Sequence, residues 1–226
     1  MGLYVISVGG SLIVPEEIDV RFLKNFKDFI IKRIEKGDRF ILIAGGGKIC
    51  RKYQSACVEV SEISDYEKDE LGIEVTRLNA FLLKNIFKGF VNSVVVKNPV
   101  EEVVDFQESI LIGAGWKPGC STDYDAVLFA KRFDSKNIIN LSNIDYIYDS
   151  DPKVNFDAKK IEKISWDDFK KIVGDEWNPG LSAPFDPIAS KEASEFGISV
   201  AIINGNNFKA LEDYLDGKEF KGSLIK

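Results

Sequence analysis

Histidine is absent from all 226 residues. That excludes Ser-His-Asp and Cys-His catalysis, histidine zinc sites and a histidine general acid. Any catalysis rests on Lys, Arg, Asp, Glu, main-chain amides or a metal. Cysteine is scarce: Cys50, Cys57 and Cys120 make an odd number with no C-x-x-C pair, which argues against a disulfide framework. Cys50 and Cys57 read as small buried residues that share a helix face. No apolar run reaches the roughly 20 residues that a membrane helix needs. The opening stretch enters a strand with no basic segment before it, so the expected location is cytoplasmic. Neither the Gly-x-x-x-x-Gly-Lys-Ser/Thr loop nor the Gly-x-Gly-x-x-Gly fingerprint occurs. Repeats, low-complexity tracts and long linkers are missing too.

What is present fits a globular chain. It is 45% hydrophobic and 29% charged, enough for one large α/β domain or two small ones. The net charge of −6 argues against a nonspecific nucleic-acid or acidic-membrane surface. It leaves room for a small anion in a locally positive pocket.

Strand and helix signals alternate. Buried strands are expected at 3–8, 40–44, 94–96, 110–112, 137–141 and 200–203. Helices are expected at 48–58, 67–88, 100–106, 125–133, 166–173, 187–196 and 208–215, with one more from the Asp19 cap to Gly37. The polar stretch 153–163 reads as a loop or β-excursion. This alternation implies a mainly parallel sheet covered on both faces, in one continuous domain over 1–226.

The strand ends carry the chemistry. Gly9-Gly10-Ser11 follows the first strand; by itself it reads first as a tight strand-to-loop turn. Gly45-Gly46-Gly47-Lys48 follows the second, with Arg51 one turn on. Three glycines there cost conformational entropy, which close backbone approach to a ligand explains. Lys48 and Arg51 oppose the helix dipole unless an anion is present. On the long helix, Asp69, Gly72 and Thr76 share a face, which either lines an acceptor pocket or is a solvated surface. The loop Ala114-Gly115-Trp116-Lys117-Pro118-Gly119-Cys120-Ser121-Thr122-Asp123 ends in three capable N-caps. Capping explains one of them, and the rest reads as a phosphate-holding substrate loop. Asn143 to Pro152 combines carboxylates with Tyr146 and Tyr148, which can stack on a base, unless it is a surface hairpin. Asp145 and Asp151 can orient lysines or a magnesium shell.

Taken in order, these motifs resemble the amino acid kinase family, and within it the archaeal-type uridylate (UMP) kinases. Thr76-Arg77-Leu78-Asn79-Ala80, Asp186-Pro187 with Ala189, and Gly222-Ser223-Leu224-Ile225 complete the set. The resemblance implies a three-layer αβα sandwich and transfer of phosphate from ATP to UMP. It implies that Gly46, Asp69 and residues Ala114, Gly115, Trp116, Lys117, Pro118, Gly119, Cys120, Ser121 and Thr122 hold UMP. It implies Ser7, Gly9, Gly10, Ser11, Gly47 and Arg51 at the ATP phosphates, and Ser142, Asn143, Tyr148 and Asp151 at the adenosine. Magnesium and a hexamer are implied as well. Many relatives carry lysine where Ser7 stands, so the transition-state cation must come from elsewhere. Lys48, Arg51 and Lys117 are the candidates, with Asp123 as the orienting carboxyl; Lys48, Arg51 and Asp123 form the expected catalytic set. Two other readings stay open: a family member acting on another small phosphate or carboxylate, and a catalytically silent nucleotide sensor or storage protein.

Overall fold

The computed structural model describes residues 2–150, 152, 154–174 and 183–226. In chain order the elements begin with β1 Leu3–Val8, α1 Gly10–Ile13, α2 Val20–Glu35, β2 Arg39–Ala44, α3 Gly47–Val60 and α4 Asp65–Ile86. Then come β3 Val91–Val96, β4 Ile110–Gly113, α5 Thr122–Arg132, β5 Asn137–Ser142, β6 Ile147–Tyr148, β7 Lys160–Ile161 and β8 Lys163–Ile164. The chain closes with α6 Trp166–Val173, α7 Pro187–Glu195, β9 Ser199–Asn204, α8 Phe208–Leu215 and β10 Ser223–Ile225.

Eight strands form one sheet in the order β3-β4-β2-β1-β5-β9-β10-β8. All pairs are parallel except β9 with β10. Because both faces are covered, successive strand residues feed different layers. Ile6, Val8, Leu42, Ile139 and Ile203 pack with α2, α4 and α8. Val5, Ile41, Ile43, Ile138 and Ile202 pack with α5, α6 and α7. This alternation explains why these strands read as unbroken apolar runs.

The helices start where their caps dictate. Asp19 accepts from Phe22 N–H at 2.8 Å. Ser64 and Glu67 form a capping box at the start of α4. Ser121 caps α5, and Asp186 followed by Pro187 starts α7. At the far end of the sheet, the buried Arg33 bridges Asp38 (2.6 Å) and Asp216 (2.5 Å).

One expectation needs correction, and two short elements, α1 and β10, were not anticipated. Residues 100–106 are not helical. Their carbonyls are claimed from outside: Arg132 donates to Pro99 and Glu102, and Arg39 donates to Phe106 while stacking over its ring at 4.0 Å. Beyond the single turn closed by Glu102 N–H on Asn98 O at 3.3 Å, these contacts and the edge-on packing of Phe106 against Phe133 hold the segment out of a continuous helix. The turn after Gly9 winds into the short α1. Residues 223–225 form a strand, β10, at the end of the chain. Within 154–163, Lys160–Ile161 forms β7, which pairs antiparallel with β6, so the β-excursion is the one of the two readings that holds.

Candidate active site

The carboxyl ends of β1, β2, β4 and β5 lie side by side, so four strand-end loops meet at one edge of the sheet. The connection from β1 runs towards β2 and that from β5 towards β9. The sheet therefore reverses direction between β1 and β5, where open α/β sheets place their ligands.

The two glycine loops seat on each other. A Cβ on Gly10 would stand 2.3 Å from Gly47 N and 2.5 Å from Gly45 O. A Cβ on Gly47 would stand 2.3 Å from Gly10 C, and Gly47 holds φ at +68°. The glycine requirement expected for ligand approach is thus set, at these positions, by loop meeting loop. Gly9 is pinned as well, its N–H donating to Leu141 O at 2.9 Å. Gly46 occupies the N-cap position of α3 without a side-chain cap. Ser11 sits half-buried in α1.

Lys48 and Arg51 rise from α3 beside this seam. Lys48 donates to Glu16 at 2.9 Å, and Lys52 donates to the same carboxylate at 2.6 Å. Those two bonds, Lys52 first, hold Glu16 down at about 2. Arg51 is exposed on the next turn, and with Lys48 and Lys52 it lines an open depression of about 460 Å³.

Helix α4 fastens two of the loops with side chains. Asn79 donates to Gly45 O at 2.8 Å. Thr76 Oγ1 accepts from Gly115 N–H at 2.8 Å and donates to Ile73 O at 2.7 Å. Arg77 donates to Trp116 O at 3.2 Å, and Asp69 accepts from Gly119 N–H at 2.9 Å. The face read as either pocket wall or solvated surface is therefore a clamp on the 114–121 loop. Within that loop Ala114 is buried and bonded to Val96 O. Lys117 lies over the Trp116 ring at 3.9 Å. Gly119 follows Pro118 at φ +83°. Burial pushes the Cys120 thiol up to about 11, which keeps it protonated. Ser121 caps α5, so Thr122 is the first residue of that helix.

Asp123 sits over the reversal point. Ser7 and Asn140 are register partners on β1 and β5. Both interrupt apolar strands on the α5 face, and both donate to Asp123 Oδ1 at 3.2 Å. Asp186 N–H donates to Oδ2 at 3.3 Å. The residue keeps some exposure at the edge, yet its carboxyl lies deep. Burial pushes it up to about 7, and the neighbouring Asp186 carboxylate adds to the rise. Asp125 is fully buried and pushed up to about 8, again chiefly by burial. Asp123 was expected to orient cations or a helix start; the three donors that reach it here are neutral, and one is the N–H of Asp186, the N-cap of α7. Asn140 was missed from the site, although a polar residue inside an apolar strand run is a readable signal. Asp186 entered only through the resemblance.

On the far side, Ser142 ends β5, and its Oγ accepts from Ile144 N–H at 3.4 Å. Asn143 is exposed. Asp145 binds Lys221 and Asn204 (2.8 Å), which bears out its expected hold on a lysine. Lys160 stands 4.8 Å over the Tyr146 ring, and Tyr148 lies in β6. Asp151 lies outside the described residues. Among those residues no group of three acidic, cysteine or histidine side chains is placed to hold a metal ion.

The amino acid kinase family model matches residues 2–204. The chain belongs to the amino acid kinase family. It is 33% identical over 225 residues to a uridylate kinase of Thermococcus kodakarensis, covering 98% of both chains. It is 31% identical over 223 residues to a uridylate kinase of Methanocorpusculum labreanum, covering 98% of this chain and 94% of that one. The solved uridylate kinase of Archaeoglobus fulgidus superposes with a TM-score of 0.82 at 27% identity, covering 99% of each chain. A UMP kinase from Bacillus anthracis shares the fold, with a TM-score of 0.81 at 21% identity over 99% of this chain and 95% of that one. The expected three-layer αβα sandwich with a mainly parallel sheet is the family's fold.

Proposed function

We propose that the chain transfers the γ-phosphoryl group of ATP to UMP, giving UDP and ADP, as a step of pyrimidine nucleotide synthesis in the cytoplasm. One observation carries this reading: the glycine seam and the 114–121 loop meet at one sheet edge, in a chain matched from end to end by uridylate kinases. The whole chain acts as one domain. Gly46, Asp69 and the loop from Ala114 to Thr122 hold UMP. Ser7, Gly9, Gly10, Ser11, Gly47 and Arg51 face the ATP phosphates, and Ser142, Asn143, Tyr148 and Asp151 face the adenosine.

The acceptor is already an anion near neutral pH, so no general base is needed, in keeping with the lack of histidine. The barrier is charge repulsion and alignment. Main-chain N–H groups of the glycine seam, with Lys48 and Arg51, neutralise charge as the phosphoryl group moves. Lys48 must leave Glu16 to do so, and Lys117 is the cation on the acceptor side. A magnesium ion would arrive with the triphosphate and supply charge neutralisation there; among the described residues no three-acid cluster is placed to hold it. The working assembly is a homohexamer.

ADP release measured across UMP, CMP, dUMP, AMP and GMP tests the reading. Turnover with UMP is expected. A second reading, a silent nucleotide sensor, draws on Ser7 and the cation-free surroundings of Asp123. ATP binding without turnover on any monophosphate would favour it.

A further inference from the structure

Two buried side-chain polar atoms among the described residues have no hydrogen-bond partner: Arg77 Nε and Asp125 Oδ1. Both belong to side chains that grip the same residue. Asp125 Oδ2 accepts from Trp116 N–H at 3.3 Å, and Arg77 Nη2 donates to Trp116 O at 3.2 Å. The peptide units on either side of Trp116 are thus bracketed between α4 and α5. Glu74 takes another nitrogen of Arg77, which leaves Nε as the buried nitrogen of that guanidinium with no partner. Folded interiors rarely leave such atoms without partners. Two of them converging on one residue of one loop point to a group that completes them.

We propose that Asp125 and Arg77 are positioning residues of the acceptor loop, and that the bound acceptor nucleotide supplies the partners of their two unpaired atoms. This rests on the reading of residues 114–121 as the acceptor loop. The chemistry of the missing partner follows from the bracket. Arg77 Nε–H is a donor. Burial, with Asp123 and Asp186 adding to it, pushes Asp125 up to about 8 against the lowering bond from Trp116 N–H, which favours a retained proton at neutral pH. Oδ2 is engaged by Trp116 N–H, so that proton belongs on Oδ1. Both unmet atoms are then donors, and the complement is a ligand with two acceptor oxygens. A pyrimidine nucleotide offers several.

Calorimetric titration of the full-length protein with UMP, and separately with ATP, tests the assignment. Asp125→Ala and Arg77→Lys are each expected to weaken UMP binding about tenfold, the size of one ordinary hydrogen bond. ATP binding should stay within about twofold. Asp125→Asn keeps an acceptor for Trp116 and an N–H donor beside it, and should restore UMP affinity. Arg77→Lys can still reach the Trp116 carbonyl but has no Nε, so a purely structural role predicts wild-type affinity there. Circular dichroism melts confirm that each variant is folded. Unchanged UMP affinity in Asp125→Ala and Arg77→Lys overturns the proposal, as does an equal loss for UMP and ATP. Failure of the wild-type protein to bind UMP at all removes the proposed function instead, and this inference with it.

Discussion

The seam between the β1 and β2 ends and the loop after β4 are built on opposite principles. In the seam, main chain meets main chain: Gly10 and Gly47 leave no room for a single carbon atom. The 114–121 loop is suspended on side chains, with Thr76, Arg77, Asp69 and Asp125 each holding one of its main-chain groups. A backbone seam is all-or-none, because overpacking has nowhere to relax. A loop held by separate hydrogen bonds is graded, since each bond contributes about 0.5–1.5 kcal/mol. On the proposed function, a rigid element reads the donor phosphates and an adjustable one the acceptor.

Breaking the seam should have the largest effect. Gly47→Ala adds a clash at 2.3 Å and a strained φ, so it should cost about 1–3 kcal/mol or more and abolish turnover. Activity at saturating ATP together with a thermal melt checks this; near-normal turnover would mean that the seam is loose. Next comes Arg51→Ala, expected to slow UMP phosphorylation by roughly 10²–10³-fold with an unchanged melt. Equal rates would remove Arg51 from the chemistry and leave the seam to act without it.

Asp123 adds a pH-dependent difference. Its folded value of about 7 lies above the 3.8 of a free carboxyl. The folded state therefore holds the proton more tightly, and stability declines as pH rises from about 4 to about 7. Asp123→Asn removes that decline. Its advantage over the wild type should be near zero at pH 4 and grow to the order of a few kcal/mol by pH 8. Urea midpoints across that range measure it, and a constant offset would contradict the assignment. The smallest effect belongs to the suspended loop. Thr76→Val should raise the KM for the acceptor by up to about tenfold and leave the KM for ATP unchanged. A collapse like that of Gly47→Ala would show that the loop is as rigid as the seam.

The amino-acid order carried much of this. Strands β1, β2, β5 and β9 were readable because both faces are buried, which writes an unbroken apolar run. Most helices were readable from their caps and spacing. The segment 100–106 was not, because its Glu102 and Phe106 carbonyls are taken by Arg132 and Arg39, far away in the chain. The triple glycine was recognisable as costly, but its partner, another glycine loop, was not. The neighbours of Asn140 and Asp125 came only from the register of β1 with β5 and the packing of α5.

The sequence by itself determined the element order, the lack of histidine chemistry and the glycine-bearing strand ends, because these follow from local periodicity and composition. Tertiary structure alone decided which loop touches which, and which carboxyls keep a proton. Contact and desolvation are set by groups that lie close in space while being remote along the chain. Ser7, Asp123 and Asn140 are joined only by the folding of the sheet.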